Sequence, residues 1–133
     1  MKVVPIVILT MIFLSGCKSI EEACINGRCF NLEVAETPEE RQIGLMQHSN
    51  LDADGGMWFI FNEEGRHSIW MKNMNFPIDI IWIDSNYNVA DIKRNAEPCT
   101  DNCEIYSPSK DAKYVLEVNI DSKINIGDKV EIK

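Results

Sequence analysis

The chain of 133 residues is 45% apolar and 26% charged, the balance of an ordinary single-domain globular protein and not of a disordered or fibrous one. Its net charge of −8 argues against a nucleic-acid partner, because phosphate binding needs a clustered basic face and the 13 Lys and Arg residues are scattered along the chain. It contains no internal repeat and no low-complexity tract.

The first 17 residues, MKVVPIVILTMIFLSGC, carry a basic start at Lys2, an apolar run from Val3 to Leu14 and small residues before Cys17, the pattern of an export signal. A run of about a dozen apolar residues is short of the roughly 20 needed to cross a bilayer. Leu14-Ser15-Gly16-Cys17 resembles the lipobox of bacterial lipoproteins. That resemblance implies a signal peptide over 1–16, removal of which leaves Cys17 as the lipid-bearing first residue; the alternative is an ordinary signal peptide cut nearby that leaves Cys17 free. Without Lys2 the chain keeps 12 basic against 21 acidic side chains, a charge of −9. So acidic a domain offers no basic patch to lipid headgroups, and its contact with the membrane is expected through the anchor alone. The expected location is the periplasmic or extracellular side of an envelope membrane, with 17–28 forming a tether and first hairpin and 29–133 a single β-sandwich domain, expected to be a monomer.

Four cysteines remain, an even number that in an exported domain reads as two disulfides. In CINGRC, Asn26-Gly27 favours a type I′ hairpin turn that pairs Ile25 with Arg28 and sets Cys24 opposite Cys29. Such a pair of strand residues lies within disulfide reach. Cys99 and Cys103, in PCTDNC, would close a similarly small loop. Pairing across the two motifs stays open, as does zinc binding, though export and the lack of a neighbouring His weigh against zinc.

Phe30 to Ala35 alternates as a half-buried strand should. Thr37, Pro38 and Glu40 then form an N-cap, a first-turn proline and a capping box, predicting a short helix whose apolar side includes Ile43, Leu45 and Met46. From Gly56 the period shortens. Met57–Phe61, Ser68–Met71 and Ile78–Ile83 read as strands, with turns expected over Asn62–Arg66, Asn73–Pro77 and Asp84–Asn88. Val89–Lys93 returns, Glu97–Lys110 reads as a loop, and Tyr114–Asn119 alternates with Tyr114, Leu116 and Val118 on one face and Val115, Glu117 and Asn119 on the other. Lys129–Ile132 is the last strand. About eight short strands and one helix predict a mainly β fold, an antiparallel sandwich or barrel.

Gly44-Leu45-Met46, Gly56-Met57 with Phe59 and Phe61, Trp70-Met71-Lys72-Asn73, Pro77-Ile78-Asp79-Ile80-Ile81, Ile83-Asp84, Cys103, Tyr106 and Tyr114-Val115-Leu116-Glu117 together resemble the signature of the bacterial and archaeal family called domain of unknown function 192. The resemblance runs from about Phe30 to Ile132 and implies a jelly-roll-like β-sandwich, often exported, with no assigned activity. The chain departs from the family pattern at His48, where Arg is usual, and at Met74, where Thr is usual; the segment between Glu117 and Gly127 is short, and a helix there is not expected.

Polar residues in apolar surroundings are the candidates for chemistry. Lys72 and Asp79 lie on successive runs and read first as a buried structural pair, with Asn73 satisfying turn carbonyls. The functional alternative places Lys72, Asn73, Asp79, Trp70, His48 and Glu117 around a pocket. A hydrolase-like enzyme would use Asp79, Lys72 and Glu117, yet the sequence holds no Ser-His-Asp order, phosphate loop or paired-carboxylate motif. Met46, Met57, Met71 and Met74, with His48 and His67, offer soft ligands to copper, but methionine on apolar strands is usually core filler. Trp58, Trp70 and Trp82 read as core or, in part, as a platform for a sugar or peptide. An acidic tethered domain without a reaction motif suits holding a ligand or partner better than converting one, and neither a catalytic residue, a cofactor nor a metal is expected.

Overall fold

The computed structural model describes residues 20–133, so the lipobox and Cys17 lie outside the described residues. In chain order the elements are β1 (Glu22–Ile25), β2 (Arg28–Ala35), α1 (Pro38–Ile43), β3 (Gly55–Gly65), β4 (Ile69–Trp70), β5 (Ile78–Ile83), β6 (Val89–Ala96), β7 (Ile105–Tyr106), β8 (Ala112–Asn119) and β9 (Val130–Ile132). The fold is mainly β with one short helix, as the strand-like runs predict. Seven strands form one sheet in the order β6-β5-β8-β3-β2-β1-β9, and β4 pairs with β7 in a separate ribbon. Every ladder is antiparallel except β2 with β3, a parallel pairing in an otherwise antiparallel design.

The sheet curls until its edge strands approach. Asn88 bridges Lys129, and Val89 N donates to Asp128 O while Val130 N donates to Tyr87 O, each at 2.8 Å. Alternation along the strands therefore sorts the core into two sides. Inside the curl lie Phe30, Trp58, Ile81, Ile83, Leu116 and Val118. On the other face lie Met57, Phe59, Ile78, Ile80, Trp82 and Val115. The cover of that second face includes the end of α1 and the chain between β4 and β5.

Local chemistry explains the elements that flank it. Asn26 and Gly27 both take positive φ, 51° and 80°, as a type I′ turn demands, and Cys24 sits opposite Cys29 in a disulfide with Cα atoms 4.0 Å apart. Cys99 pairs with Cys103, so each bridge closes within its own motif. Glu22, Cys24 and Cys29 are the one group of His, Cys, Asp and Glu ligands near enough to share a metal among the described residues, but both sulfurs are spent in the disulfide. The bridges fit an oxidising, extracytoplasmic compartment. No helix among the described residues is long and apolar enough to cross a membrane. The Thr37 capping box forms in full, with the Glu40 N–H donating to Thr37 Oγ1 at 3.1 Å.

The helix is shorter than the sequence reading has it: α1 ends at Ile43, and Leu45 and Met46, expected on its apolar side, lie in the turn that follows. Two strand boundaries differ as well. The turn expected at Asn62–Arg66 is instead the continuation of β3: a bulge between Ile60 and Gly65 lets the polar Asn62, Glu63 and Glu64 bow out before Gly65 pairs with Ala112. The loop expected from Glu97 to Lys110 contains β7, because Ile105 and Tyr106 find partners in Trp70 and Ile69.

Candidate functional site

Glu117 stands in the middle of the sheet. Its neighbours in register are Met57 on β3 and Ile80 on β5, so the row is a carboxyl between two apolar side chains. Only 5% of Glu117 is exposed, and its carboxyl has no hydrogen-bond or ion-pair partner among the described residues. Loss of water disfavours the charged form, and burial pushes the carboxyl from 4.5 up to about 8. At neutral pH Glu117 therefore holds its proton.

Above it is a cavity of about 40 Å³, enough for roughly three waters or one small polar group. One wall is the end of α1 and the turn after it, from Arg41 to Met46; the other is Ile69, Trp70, Lys72 and Met74 on the chain between β4 and β5. Gly44 makes the first wall possible. Its φ of 47° and ψ of −129° are poorly tolerated by side-chain-bearing residues, and a Cβ there would stand 3.2 Å from the Phe59 ring. Arg41 fixes the wall from outside the cavity's floor by donating to the Ile60 carbonyl at 2.9 Å and to the Glu36 carbonyl while its guanidinium lies 4.9 Å from the Phe61 centroid.

The second wall is tied to the Cys99–Cys103 loop. Lys72 bridges Cys99, Asn73 N donates to Cys99 O at 2.8 Å, and Cys99 N donates to Met71 O at 3.1 Å. Lys72 has no acidic partner among the described residues; its ammonium lies 5.2 Å from the Trp70 centroid. Trp70 and Ile43, 41% and 43% exposed, form an apolar rim at the mouth.

Of the residues the sequence singles out, the structure brings Trp70, Lys72 and Glu117 into one pocket, with Met46 and Met74. Asn73, exposed and at φ 58°, is a turn residue beside it. His48 lies outside the lining and meets Glu33 Oε2 at 2.8 Å, while His67 stacks on Phe61 with centroids 3.8 Å apart. Trp58 and Trp82 are core, and Trp82 donates its indole N–H to the His67 carbonyl at 2.8 Å, so the platform reading narrows to Trp70.

The expected Lys72–Asp79 pair does not form. Asp79 shares its strand face with Ile81 and Ile83, inside the curl, whereas Lys72 belongs to the cover of the opposite face. Asp79 instead accepts from Asn95 N at 2.9 Å, Ser122 N at 3.1 Å and Ser122 Oγ at 2.8 Å, holding the β8–β9 connection to the sheet. The trio Asp79, Lys72 and Glu117 imagined for a hydrolase is thereby split across the sheet. Asp79 also borders an open groove of about 640 Å³ with Arg94, Asn95, Asp121 and Lys123. Size alone would favour the groove, but its buried acid is fully bonded, and the unsatisfied one faces the smaller pocket. Sequence reasoning missed Gly44, Phe59 and Arg41 as parts of this pocket; the signal present was a capped helix ending in Gly immediately before Leu45 and Met46.

Comparison with known proteins agrees with this architecture. The family described as DUF192, Uncharacterized ACR, matches residues 9–132. A UPF0127 protein of Thermococcus gammatolerans is 36% identical over 89 residues, 65% of this chain, and the chain spans 54% of that relative's length. Among solved structures, a candidate transcription regulator from Sinorhizobium meliloti 1021 superposes with a TM-score of 0.78 at 30% identity, covering 86% of this chain and 94% of that one. A protein of unknown function from Novosphingobium aromaticivorans DSM 12444 gives 0.76 at 31% identity, covering 84% of each chain. The sequence signature, the curled β fold and the match over nearly the whole length agree: the chain belongs to the DUF192 family.

Proposed function

We propose that this protein is a lipid-anchored binding module of the cell envelope that holds a small ligand in the pocket beneath α1. The observation that carries the reading is the Glu117 carboxyl, buried, unpartnered and directed at a cavity whose mouth carries an exposed Trp70. Leaving a buried polar group unsatisfied costs on the order of 1–3 kcal/mol, and such a cost is tolerated where a ligand supplies the missing partner. Regulation of transcription, in the name of the Sinorhizobium relative, does not transfer, since a net charge of −8 repels the phosphate backbone. Lipidation at Cys17 rests on the lipobox and is compatible with both disulfides.

Two experiments test this. Mass spectrometry of protein from the membrane fraction should find acyl chains on Cys17, and C17A should move the protein to the soluble fraction; an unmodified Cys17 contradicts the anchor. A fragment panel followed by NMR should shift the Trp70 indole and the backbone of Gly44 and Lys72. Shifts confined to the Asp79 groove, or none at all, would sink the pocket.

A further inference from the structure

We propose that the pocket takes a carboxylate: a small monocarboxylic acid whose anionic group lies between Lys72 and Glu117 and whose organic body covers Trp70 and Ile43. This rests on the pocket reading above and adds the ligand's chemical class.

The ionisable groups that line the cavity are Arg41 from α1, Lys72 from the β4–β5 connection and Glu117 from β8, while β3 and β5 offer only Met57, Phe59 and Ile80 to Glu117. Two cationic residues and one carboxyl thus line the cavity on a protein that is otherwise acidic, and neither cation stands close enough to Glu117 to offset the effect of burial on it. Arg41 is already committed to two carbonyls and the Phe61 ring. Lys72 is not: its ammonium lies 5.2 Å from the Trp70 ring centroid.

Hydrogen bonding favours the same class of ligand. A protonated Glu117 is a donor, and a carboxylate is an acceptor with two oxygens, one for the Glu117 O–H and one for the Lys72 ammonium. An amine would face two like charges and would require Glu117 to lose its proton first. A cavity of about 40 Å³ admits a carboxylate group but not a sugar ring, which would have to stay outside on Trp70.

Proton linkage makes the proposal testable, because a carboxylate binds the protonated and an amine the ionised form of Glu117. Full-length protein in detergent micelles would be titrated with acetate, N-acetylglycine, methylamine and galactose from pH 6 to 9.5, reading the NMR shift of the Trp70 indole. The two carboxylates should bind at pH 6, with affinity falling toward tenfold per pH unit above about 8. E117Q, which keeps a donor, should bind across the whole range without that fall. K72A should lose at least tenfold at every pH, and K72R should retain most of it. Methylamine binding that tightens with pH, or carboxylate binding whose pH dependence survives in E117Q, would overturn the proposal. Binding of galactose alone would refute the carboxylate and leave the pocket standing, whereas a Trp70 signal unmoved by all four probes would refute both.

Discussion

Glu117 and Asp79 are both buried acids, and the contrast between them decides their roles. Asp79, 1% exposed, accepts three hydrogen bonds, so it acts as a latch between β5, the end of β6 and Ser122. Truncation in D79A would take the acceptor from two N–H groups and a hydroxyl beside the groove, and a loss of about 2–4 kcal/mol in denaturant unfolding is expected. Glu117 has no such partners, and its cost varies with pH. Because burial raises its folded-state value from 4.5 to about 8, the folded protein binds a proton that the unfolded chain has released between those limits. Unfolding free energy should therefore decline as pH rises from about 4.5 through about 8, by roughly 3–5 kcal/mol, and level off above. E117Q should remove that slope, matching the parent protein near pH 5 and exceeding it at pH 8; parallel pH profiles for the two proteins would show that Glu117 is not the titrating group.

At the scale of elements, the pocket depends on two supports. Helix α1 has six residues, none of them buried, so its own packing contributes little and its ends must hold it. T37A removes the Thr37 side of the capping box and should cost about 1 kcal/mol, with the loss read most strongly as faster amide exchange at Glu40 and Arg41. The other support is the Cys99–Cys103 loop, joined to the Lys72 wall by backbone hydrogen bonds. A C99S/C103S double variant should unfold about 2 kcal/mol more easily and exchange the Asn73 amide at least tenfold faster, while amides at the centre of β8 keep their order of protection. Equal acceleration of both would mean that the loop does not brace the wall locally.

For the whole molecule, what the sequence makes legible is what is decided locally. Asn26-Gly27 fixes the first hairpin and with it the Cys24–Cys29 pairing; Thr37-Pro38 and Glu40 start the helix; alternation over Tyr114–Asn119 puts Glu117 on one face with Val115. What escapes reading depends on distant partners. Lys72 and Asp79 are seven residues apart in sequence but belong to opposite faces of the sheet, and the group that satisfies Asp79, Ser122, lies 43 residues further along. Pairing of β7 with β4 and the curl that brings β6 toward β9 are likewise long-range, so a loop-like composition hid the partner of the strand whose Ile69 and Trp70 line the pocket. Trp70 was one of three similar tryptophans until the fold buried the other two.

The distinguishing feature of this protein is a carboxylic acid kept protonated at neutral pH in the centre of a sheet and open to a small cavity. Carboxyl ¹³C NMR of the folded protein, titrated from pH 4 to 9.5 with E117Q used to assign the resonance, measures it directly. A Glu117 midpoint near 8 is expected. A midpoint in the ordinary glutamate range, near 4.5, would mean that the carboxyl is solvated or paired and would contradict it.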